Sequence, residues 1–224
     1  MMHDPSLSWG VLSDMDGTLL DTESTWLRVV EQFARDHDAT DAFDLVAAAE
    51  GLDLDRTALL LRERLALTAP QADVAAELDR RATDAYVGAV TWRPGAPELL
   101  RALVHAAVPL ALVTSSPRHW VERFAQSMDL SAFQASVTAD DTVRTKPAPD
   151  PYLDGAAALG LPPTRCVVLE DSLVGTWSAV SAGCATVVVG DPAWGLPPGV
   201  HRVASLSDVD VPMLRGIVRG GGSR

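Results

Sequence analysis

Short apolar runs rich in β-branched residues recur along this chain, and most of them are continuously apolar instead of alternating with polar residues. The runs are WGVLSD, VPLALVTS, FQASVTA, RCVVLED, CATVVVG and the weaker HRVAS. Continuous apolar character is typical of strands that are buried on both faces of a parallel sheet. Because helical segments separate the runs, the sequence predicts a doubly wound, Rossmann-like α/β fold.

Capping residues indicate where two of the separating helices begin and end. In SPRHWVERFAQSMDL, we expect Ser116 to be the N-cap residue and Pro117 to take the first helical position. The segment DPYLDGAAALGL repeats this arrangement with Asp150 and Pro151, and its helix is expected to stop near Gly160.

The alternation of strands and helices breaks between residues 22 and 91, where no convincing strand is found. The segments TESTWLRVVEQFARDHD, LDRTALLLRERLAL and QADVAAELDRRATDAYVGAV read as helices. The sequence therefore predicts a small all-helical domain at residues 22–91, inserted after the first strand of a core domain at residues 1–21 and 92–224. Asp21 and Thr22 are expected to cap the first inserted helix and to form the hinge.

Charge and composition argue against several classes of protein. The 224 residues carry a formal net charge of −12, which disfavours a nucleic-acid binder and a protein that docks on anionic lipid. Two cysteines are too few for a disulfide framework or a zinc site. The N-terminal MMHDPSLSWG lacks an apolar core, and no apolar run approaches the ~20 residues of a membrane span. We therefore expect a cytoplasmic protein without a signal peptide.

Acidic side chains follow two of the predicted strands at the point where each strand ends. WGVLSD ends in Asp14 with Asp16 just beyond, and RCVVLED ends in Glu170 and Asp171. The carboxyl ends of parallel strands meet at one edge of a sheet. There, two unit charges ~4 Å apart repel by about 4 kcal/mol at an effective dielectric near 20. Carboxylates without nearby His or Cys favour Mg²⁺, so these four residues predict a magnesium site.

The only lysine of the chain falls in a loop that leads to the same edge. Of 18 Lys and Arg residues, Lys146 alone is a lysine, which suggests a site that needs a compact ammonium. The hydroxyls of Thr114, Ser115 and Ser116 follow a neighbouring strand and precede a helix. An ammonium, hydroxyls and a helix N-terminus together favour the binding of a phosphoryl group.

These groupings predict phosphoryl chemistry at the edge of the sheet. Asp14 is placed to attack phosphorus as a nucleophile, and Asp16 is placed to donate and accept a proton beside it. Mg²⁺ and Lys146 would cancel the charge on the phosphoryl oxygens.

The segments DMDGTLLDTE, VTSS, TKPAPDPY and VVLEDSLVGTWSAVSAG together resemble, in order, the four motifs of the haloacid dehalogenase-like hydrolase superfamily. The helical insertion resembles the C1-type cap of its β-phosphoglucomutase-like and phosphoglycolate phosphatase-like branch. The resemblance covers nearly the whole chain. It implies a Mg²⁺-dependent phosphatase that acts on a small phosphomonoester through an aspartyl-phosphate intermediate.

The first motif implies the chemistry of the two aspartates. By resemblance, Asp14 is the nucleophile that becomes phosphorylated. Asp16 is the general acid and base, and its main-chain carbonyl also reaches the metal. Gly17 and Thr18 belong to a flexible turn that couples movement of the cap to the nucleophile. The presence of Asp16 also argues against a true dehalogenase, which resembles this family but lacks the second aspartate.

The other motifs imply the groups that hold the phosphate and the metal. Thr114 and Lys146 bind the phosphoryl oxygens, and Lys146 also steadies Asp14. Asp171 ligates Mg²⁺, and Glu170 lies close to the ion or acts on it through water.

Four further residues are candidates for substrate binding, each with a plain structural alternative. Ser116 binds the substrate or only caps a helix. Arg118 reaches a substrate anion or lies on a solvated helix face. Trp26 lines the substrate or packs in the core of the helical domain. Glu50 belongs to a loop that faces the site or to an ordinary turn between helices.

Two other functions stay open beside the phosphatase. A phosphomutase of the β-phosphoglucomutase kind carries a cap histidine where this chain has Trp26, and its cap arginine motif finds only Leu54 and Arg56 nearby. The second alternative is a domain that binds a phosphorylated ligand without turnover. No G-x-x-x-x-G-K-[ST] loop is found, so a P-loop kinase is disfavoured. The expected partner is a small phosphate ester, and the oligomeric state is left open.

Overall fold

The fold is known from a computed structural model that describes residues 9–86 and 88–221. The prediction about the N-terminal segment therefore falls mostly outside the described residues. The strands are β1 (Gly10–Ser13), β2 (Leu20–Asp21), β3 (Thr91–Trp92), β4 (Leu110–Val113), β5 (Ala135–Val137), β6 (Cys166–Glu170), β7 (Ala185–Val189) and β8 (His201–Val203).

Helices connect most of these strands, and two short 3₁₀ turns occur at Pro163–Arg165 and Leu206–Asp208. None of the helices in the described part of the chain is long and apolar enough to cross a membrane. The helices are α1 (Glu23–Asp36), α2 (Ala42–Ala49), α3 (Leu54–Arg64), α4 (Gln71–Ala85), α5 (Ala96–His105), α6 (Arg118–Ala125), α7 (Asp150–Ala158), α8 (Leu173–Ser181) and α9 (Val211–Gly221).

Six strands form one fully parallel sheet, as the apolar runs predict. Their order is β5–β4–β1–β6–β7–β8, which places β1 between β4 and β6 in the interior of the sheet. Helices alternate with these strands, and this confirms the doubly wound, Rossmann-like α/β class. The two-residue strands β2 and β3 pair with each other as a separate small sheet that the sequence does not predict.

The described residues divide into two compact units. Unit 1 contains the residues up to Leu20, Trp92–Arg118 and the residues from Met128 onward, and it holds the six-stranded sheet. Unit 2 contains Asp21–Thr91 and His119–Ser127, and it is helical apart from the ends of the small sheet. The predicted independent helical domain at residues 22–91 stays a prediction.

The register of the sheet brings the ends of three strands to one level. Ser13 at the end of β1 lies opposite Leu112 of β4 and Leu169 of β6. The residues that follow, Asp14 after β1 and Glu170 at the end of β6, therefore leave the sheet at the same edge. All four residues of β1 and all five of β6 are buried, which fixes this register firmly.

Unit 2 packs around a cluster of four aromatic side chains. The ring of Trp120 on α6 lies 5.8 Å from that of Trp26 on α1 and 5.2 Å from that of Tyr86, measured between centroids. The ring of Phe124 lies edge-on to the ring of Tyr86, with 5.1 Å between the two centroids. These contacts explain why most of α6 belongs to unit 2, although the chain enters it directly from β4.

Two of the predicted capping arrangements need correction. Helix α6 begins at Arg118, and the backbone N–H of Arg118 donates to Asp140 at 2.7 Å, so Ser116 is not its cap. At α7, Asp150 is already the first helical residue and Pro149 holds the cap position. The predicted stop is confirmed, because Gly160 adopts a φ of +67° just after the helix.

In unit 2, one helix and the details of one cap differ from expectation. Thr22 holds the N-cap position of α1, but its side chain makes no capping hydrogen bond, and Asp21 belongs to β2. Helix α2 is not predicted by the sequence pattern. Its segment AFDLVAAA is short and exposes the large side chain of Phe43, so it lacks a clear amphipathic period.

The central strand gives a direct test of the fold. Leu12 of β1 is fully buried among apolar side chains of both neighbouring strands. Leu12→Ala should lower the free energy of unfolding by about 2–5 kcal/mol in denaturant titrations, because a cavity remains in the core. Leu153→Ala removes the same atoms from a position that is 41% exposed, and it should change the free energy by less than about 0.5 kcal/mol. Equal losses for the two variants would contradict the burial of β1.

Candidate active site

The candidate site lies in unit 1, at the edge where β1, β4 and β6 end. Backbone hydrogen bonds hold the first residues of the site against the sheet. The N–H of Asp14 donates to Leu169 of β6 at 3.0 Å, and the N–H of Thr114 donates to Val137 of β5 at 2.9 Å. Asp14 and Thr114 thus continue directly from strands of the sheet and are not tips of long loops, which suits them for accurate positioning.

Lys146 is the hub of the site. Its side chain is almost completely buried, and its ammonium donates three hydrogen bonds: to Asp14 Oδ1 at 2.6 Å, to Glu170 Oε1 at 2.7 Å and to the carbonyl of Val113 at 3.0 Å. An ammonium has three protons, so all its donors are used. The ring of Tyr152 lies 5.0 Å from Nζ and adds a cation–π contact.

Glu170 is the buried counter-ion of this lysine, and it is saturated with hydrogen bonds. Besides Lys146, its Oε1 accepts from the hydroxyl of Tyr152 at 2.7 Å. Its Oε2 accepts from the backbone N–H of Asp171 and from the N–H and hydroxyl of Ser172, at 2.9–3.1 Å. Gly175 leaves the room for this carboxylate, because a Cβ at that position would overlap it.

The charges of Lys146 and Glu170 stabilise each other. Burial favours neutral Lys146, but the carboxylates of Asp14 and Glu170 outweigh it and raise the pKa of the ammonium. Burial likewise favours neutral Glu170, but the ammonium of Lys146 and the hydrogen bonds lower its pKa below the ordinary value. Burial and the nearby Glu170 raise the pKa of Tyr152, which keeps its hydroxyl protonated as a donor.

The two carboxylate oxygens of Asp14 differ in their surroundings. Lys146 holds Oδ1, whereas the buried Oδ2 has no hydrogen-bond partner among the described residues. Burial raises the pKa of Asp14 to about 7; Lys146 opposes this shift, and Glu170 and Asp16 add to it. A buried acceptor without a partner costs about 1–3 kcal/mol, so such an atom points to a site that a ligand completes.

Two hydroxyls orient Asp16. Its Oδ2 accepts from Thr114 Oγ1 at 2.8 Å and from Ser116 Oγ at 2.7 Å. The backbone N–H of Ser116 in turn donates to Thr114 Oγ1 at 2.9 Å. This bond to Asp16 explains why the Ser116 hydroxyl does not cap α6. Ser115, between the two, is partly exposed.

Acidic oxygens with the chemistry of a divalent-cation site meet beside Asp14. One oxygen each from Asp14, Glu170 and Asp171 lies within 4.8 Å of the others. Asp171 Oδ1 also accepts from the hydroxyl of Thr18 at 3.1 Å, and the backbone of Gly17 at φ +79° lies so close to Asp171 that a Cβ would overlap it. The carboxylates of Asp14 and Asp171 offer the hard oxygen ligands that Mg²⁺ prefers. The saturated Glu170 fits direct ligation less well.

Of the three other predicted specificity residues, Arg118 lies in unit 1, whereas Trp26 and Glu50 lie in unit 2. Arg118 pairs with Asp141 and donates to Ser136 at 3.3 Å, so its guanidinium is occupied by the neighbouring loop and strand. Trp26 is buried in the aromatic cluster of unit 2, in agreement with the plain alternative of a core residue. Glu50 is exposed between α2 and α3.

Sequence reasoning missed two residues that build the site, Tyr152 and Ser172. Tyr152 stands in the segment TKPAPDPY, but a buried aromatic residue on a helix looks like an ordinary core residue. Ser172 caps α8 by accepting from the N–H of Gly175 at 3.0 Å, and its position before an apolar helix marks it only as a cap.

Comparisons with known proteins identify the family of this chain. Residues 10–183 match the family model of haloacid dehalogenase-like hydrolases. The chain belongs to this family. Hexitol phosphatase A of Escherichia coli is 36% identical over 188 residues, covering 82% of this chain and 84% of that protein. N-acetylmuramic acid 6-phosphate phosphatase of Pseudomonas aeruginosa is 31% identical over 226 residues, covering 89% and 93%.

Solved structures of family members share the fold. A β-phosphoglucomutase from Clostridium difficile matches with a TM-score of 0.83 at 17% identity, covering 97% of this chain and 100% of that chain. A family IA hydrolase from Entamoeba histolytica matches with a TM-score of 0.81 at 22% identity, covering 94% and 99%. The family-model match and the 36% identical relative confirm the sequence-based family prediction, and these structures confirm the fold.

The raised pKa of Asp14 predicts how pH affects the stability of the metal-free enzyme. Because this pKa rises from 3.8 to about 7 on folding, the folded state binds the proton more tightly than the unfolded state. The contribution of Asp14 to the free energy of unfolding is therefore lost as pH rises from about 4 to about 7. In a chelator, Asp14→Asn should be more stable than the wild type at pH 8, by up to about 4 kcal/mol. The difference should vanish near pH 4 in thermal unfolding.

A control variant and the addition of Mg²⁺ make this measurement specific to Asp14. Asp154→Asn, on an exposed turn of α7, should match the wild type at both pH values. Adding Mg²⁺ at pH 8 should stabilise the wild type more than Asp14→Asn, since the ion offsets the negative charge. A destabilised Asp14→Asn at pH 8 would show that the buried carboxylate is not under electrostatic strain.

Proposed function

We propose that this hydrolase is a Mg²⁺-dependent phosphatase that cleaves a small phosphomonoester through an aspartyl phosphate on Asp14. The proposal rests on the different surroundings of the two carboxylate oxygens of Asp14. Lys146 fixes Oδ1, and the buried Oδ2 accepts no hydrogen bond from the part of the chain that the structure describes. A carboxylate held by one oxygen presents the other in a defined direction, as an in-line attack on phosphorus requires.

In the first step, Asp14 Oδ2 attacks the phosphorus of the substrate. A bond forms between this oxygen and phosphorus, and the bond from phosphorus to the ester oxygen breaks. The leaving alkoxide needs a proton, and Asp16 is the proposed donor. Thr114 and Ser116 support this role, because their hydroxyls fix the carboxylate of Asp16.

In the second step, water attacks the phosphorus of the aspartyl phosphate. Asp16 accepts a proton from the water, the bond between phosphorus and Asp14 breaks, and inorganic phosphate leaves. The free carboxylate of Asp14 and the protonated Asp16 are then restored for the next cycle.

Positive charge at the site comes from two proposed sources. Lys146 withdraws electron density from Asp14 Oδ1 and, with Thr114 and Ser115, is proposed to receive phosphoryl oxygens. Since all three ammonium protons are used, Lys146 must exchange one existing bond for each phosphoryl contact. Asp14 and Asp171 are proposed to ligate Mg²⁺, with the main-chain carbonyl of Asp16. When bound, the ion lowers the negative charge between nucleophile and phosphate.

Glu170 is better assigned to Lys146 than to the metal. Its five hydrogen bonds come from Lys146, Tyr152, Asp171 and Ser172, and direct ligation would require some of them to break. We propose that Glu170 holds the lysine and acts on the ion from a distance or through water.

Sugar phosphates and related metabolites are the proposed substrate class. Two relatives are named as phosphatases of a hexitol and of N-acetylmuramic acid 6-phosphate, which supports this class. Trp26 and Glu50 stay candidates for selecting the substrate. Arg118 is a weaker candidate than the sequence suggests, because Asp141 already neutralises its guanidinium.

A phosphate-release assay with a panel of sugar phosphates tests the proposed function. Purified enzyme should release inorganic phosphate only when Mg²⁺ is present, and excess chelator should abolish the activity. Asp14→Asn should reduce kcat by at least about 1,000-fold, whereas Asp154→Asn should retain wild-type rates. Full turnover by Asp14→Asn would rule out the covalent mechanism.

The same assay separates the phosphatase from a phosphomutase. With β-glucose 1-phosphate, the phosphatase releases free phosphate, whereas a phosphomutase forms glucose 6-phosphate. Trp26 favours the first outcome, because a buried indole replaces the cap histidine that the mutase carries in this part of the sequence. Conversion to glucose 6-phosphate without phosphate release would establish the alternative.

The three-bond site of Lys146 predicts that arginine cannot replace it. A guanidinium is larger and planar, so it cannot direct donors at Asp14 Oδ1, Glu170 Oε1 and the Val113 carbonyl together. Lys146→Arg should reduce kcat about 100-fold or more in the phosphate-release assay. Arg144→Lys, two residues away on the surface, is the matched control and should keep kcat within about twofold. Near-normal activity of Lys146→Arg would mean that positive charge alone is enough.

A further inference from the structure

We infer that Tyr152 is a positioning residue of the hydrolase, acting through Glu170 and Lys146 on the nucleophile. The inference rests on the proposed function of Asp14. None of the site residues predicted from the sequence lies on α7. The inference gives this helix a role, because its Tyr152 positions Lys146, and Lys146 positions the nucleophile Asp14.

The contacts form a continuous chain of short hydrogen bonds. The hydroxyl of Tyr152 donates to Glu170 Oε1 at 2.7 Å, and Lys146 Nζ donates to the same oxygen at 2.7 Å. Lys146 Nζ donates in turn to Asp14 Oδ1 at 2.6 Å. Tyr152 and Glu170 are fully buried, so water cannot replace a missing donor without opening the core.

The position of the shared acceptor shows what the hydroxyl does. Glu170 Oε2 is fixed by Asp171 and Ser172 at the start of α8, which settles one end of the carboxylate. Tyr152 is the only partner of Oε1, among the described residues, apart from Lys146 itself. The hydroxyl therefore sets the direction in which Oε1 meets the ammonium.

The ring of Tyr152 supports the same assignment. Its face lies 5.0 Å from Lys146 Nζ, so the residue contacts the lysine through the ring and the glutamate through the hydroxyl. A residue that only filled the core would need no hydroxyl, and burying one costs free energy unless it is bonded. Phenylalanine would keep the packing and the ring contact while removing only the hydrogen bond.

The test compares Tyr152→Phe with Thr186→Val, which also removes one buried hydroxyl from unit 1. Thr186 lies on β7 and donates to the carbonyl of Cys184, away from the site. In the Mg²⁺-dependent phosphate-release assay, Tyr152→Phe should lower kcat about 10-fold and change KM by less than about twofold. Thr186→Val should keep kcat within about twofold. Equal kcat for Tyr152→Phe and the wild type would overturn the inference.

A double-mutant cycle tests whether Tyr152 acts through Glu170. In a Glu170→Gln background, adding Tyr152→Phe should lower kcat by less than about twofold, because the shared acceptor is already altered. A full 10-fold loss in that background would mean that Tyr152 acts by another route, and it would also overturn the inference.

The single lysine of the chain provides a readout that needs no catalysis. In metal-free protein labelled with ¹⁵N-lysine, the one Nζ signal belongs to Lys146. Tyr152→Phe should shift this signal and speed its hydrogen exchange, whereas Thr186→Val should leave both unchanged. Unchanged spectra in both variants would overturn the inference.

These experiments distinguish a failure of the proposed function from a failure of the inference about Tyr152. If the wild type and Thr186→Val release no phosphate from any ester, the proposed function fails, while the spectra still test the Tyr152 contact. If Tyr152→Phe does not fold, fluorotyrosine labelling replaces it, since Tyr86 and Tyr152 are the two tyrosines. Glu170→Gln should then shift the Tyr152 signal alone, and no shift would overturn the inference.

Discussion

The buried ion cluster of Asp14, Lys146 and Glu170 is the constraint on which the site depends. Removing these charges from water costs several kcal/mol per ion, and only short, fully used hydrogen bonds offset that cost. Within residues 9–86 and 88–221, Lys146 uses all three of its protons and Glu170 accepts five hydrogen bonds, but Asp14 keeps one oxygen without a partner. The cluster is thus complete except at the atom that would react, and the proposed chemistry places phosphorus there.

The parallel sheet provides the framework that holds this cluster together. Asp14 and Glu170 come from adjacent strands whose register is fixed by complete burial, so their separation does not depend on flexible loops. Two glycines then allow close approach: Gly17 adopts a positive φ beside Asp171, and Gly175 leaves space for the carboxylate of Glu170. A methyl group at either position would separate groups that must remain in contact.

Much of this could be predicted from the sequence, because strand ends follow directly from apolar patterning. Parallel strands are enough to predict that Asp14 and Glu170 lie at one edge of the sheet. Lys146 stands out because it is the only lysine of the sequence. Hydrogen-bond direction was beyond prediction: Ser116 suited a helix cap equally well, and only the folded chain shows its hydroxyl on Asp16. Tyr152 was missed because apolar periodicity does not reveal where a buried hydroxyl points. The short strands β2 and β3 are too brief to carry a pattern.

The most direct test of the account is to trap the intermediate on Asp14. Enzyme turning over a sugar phosphate with Mg²⁺ is quenched in acid and reduced with borohydride, which converts an acyl phosphate to an alcohol. Peptide mass spectrometry then locates the reduced residue. The account predicts homoserine at position 14, dependent on substrate and absent from Asp14→Asn. Reduction at Asp16 or Asp171 instead, or no reduced residue during active turnover, would contradict it.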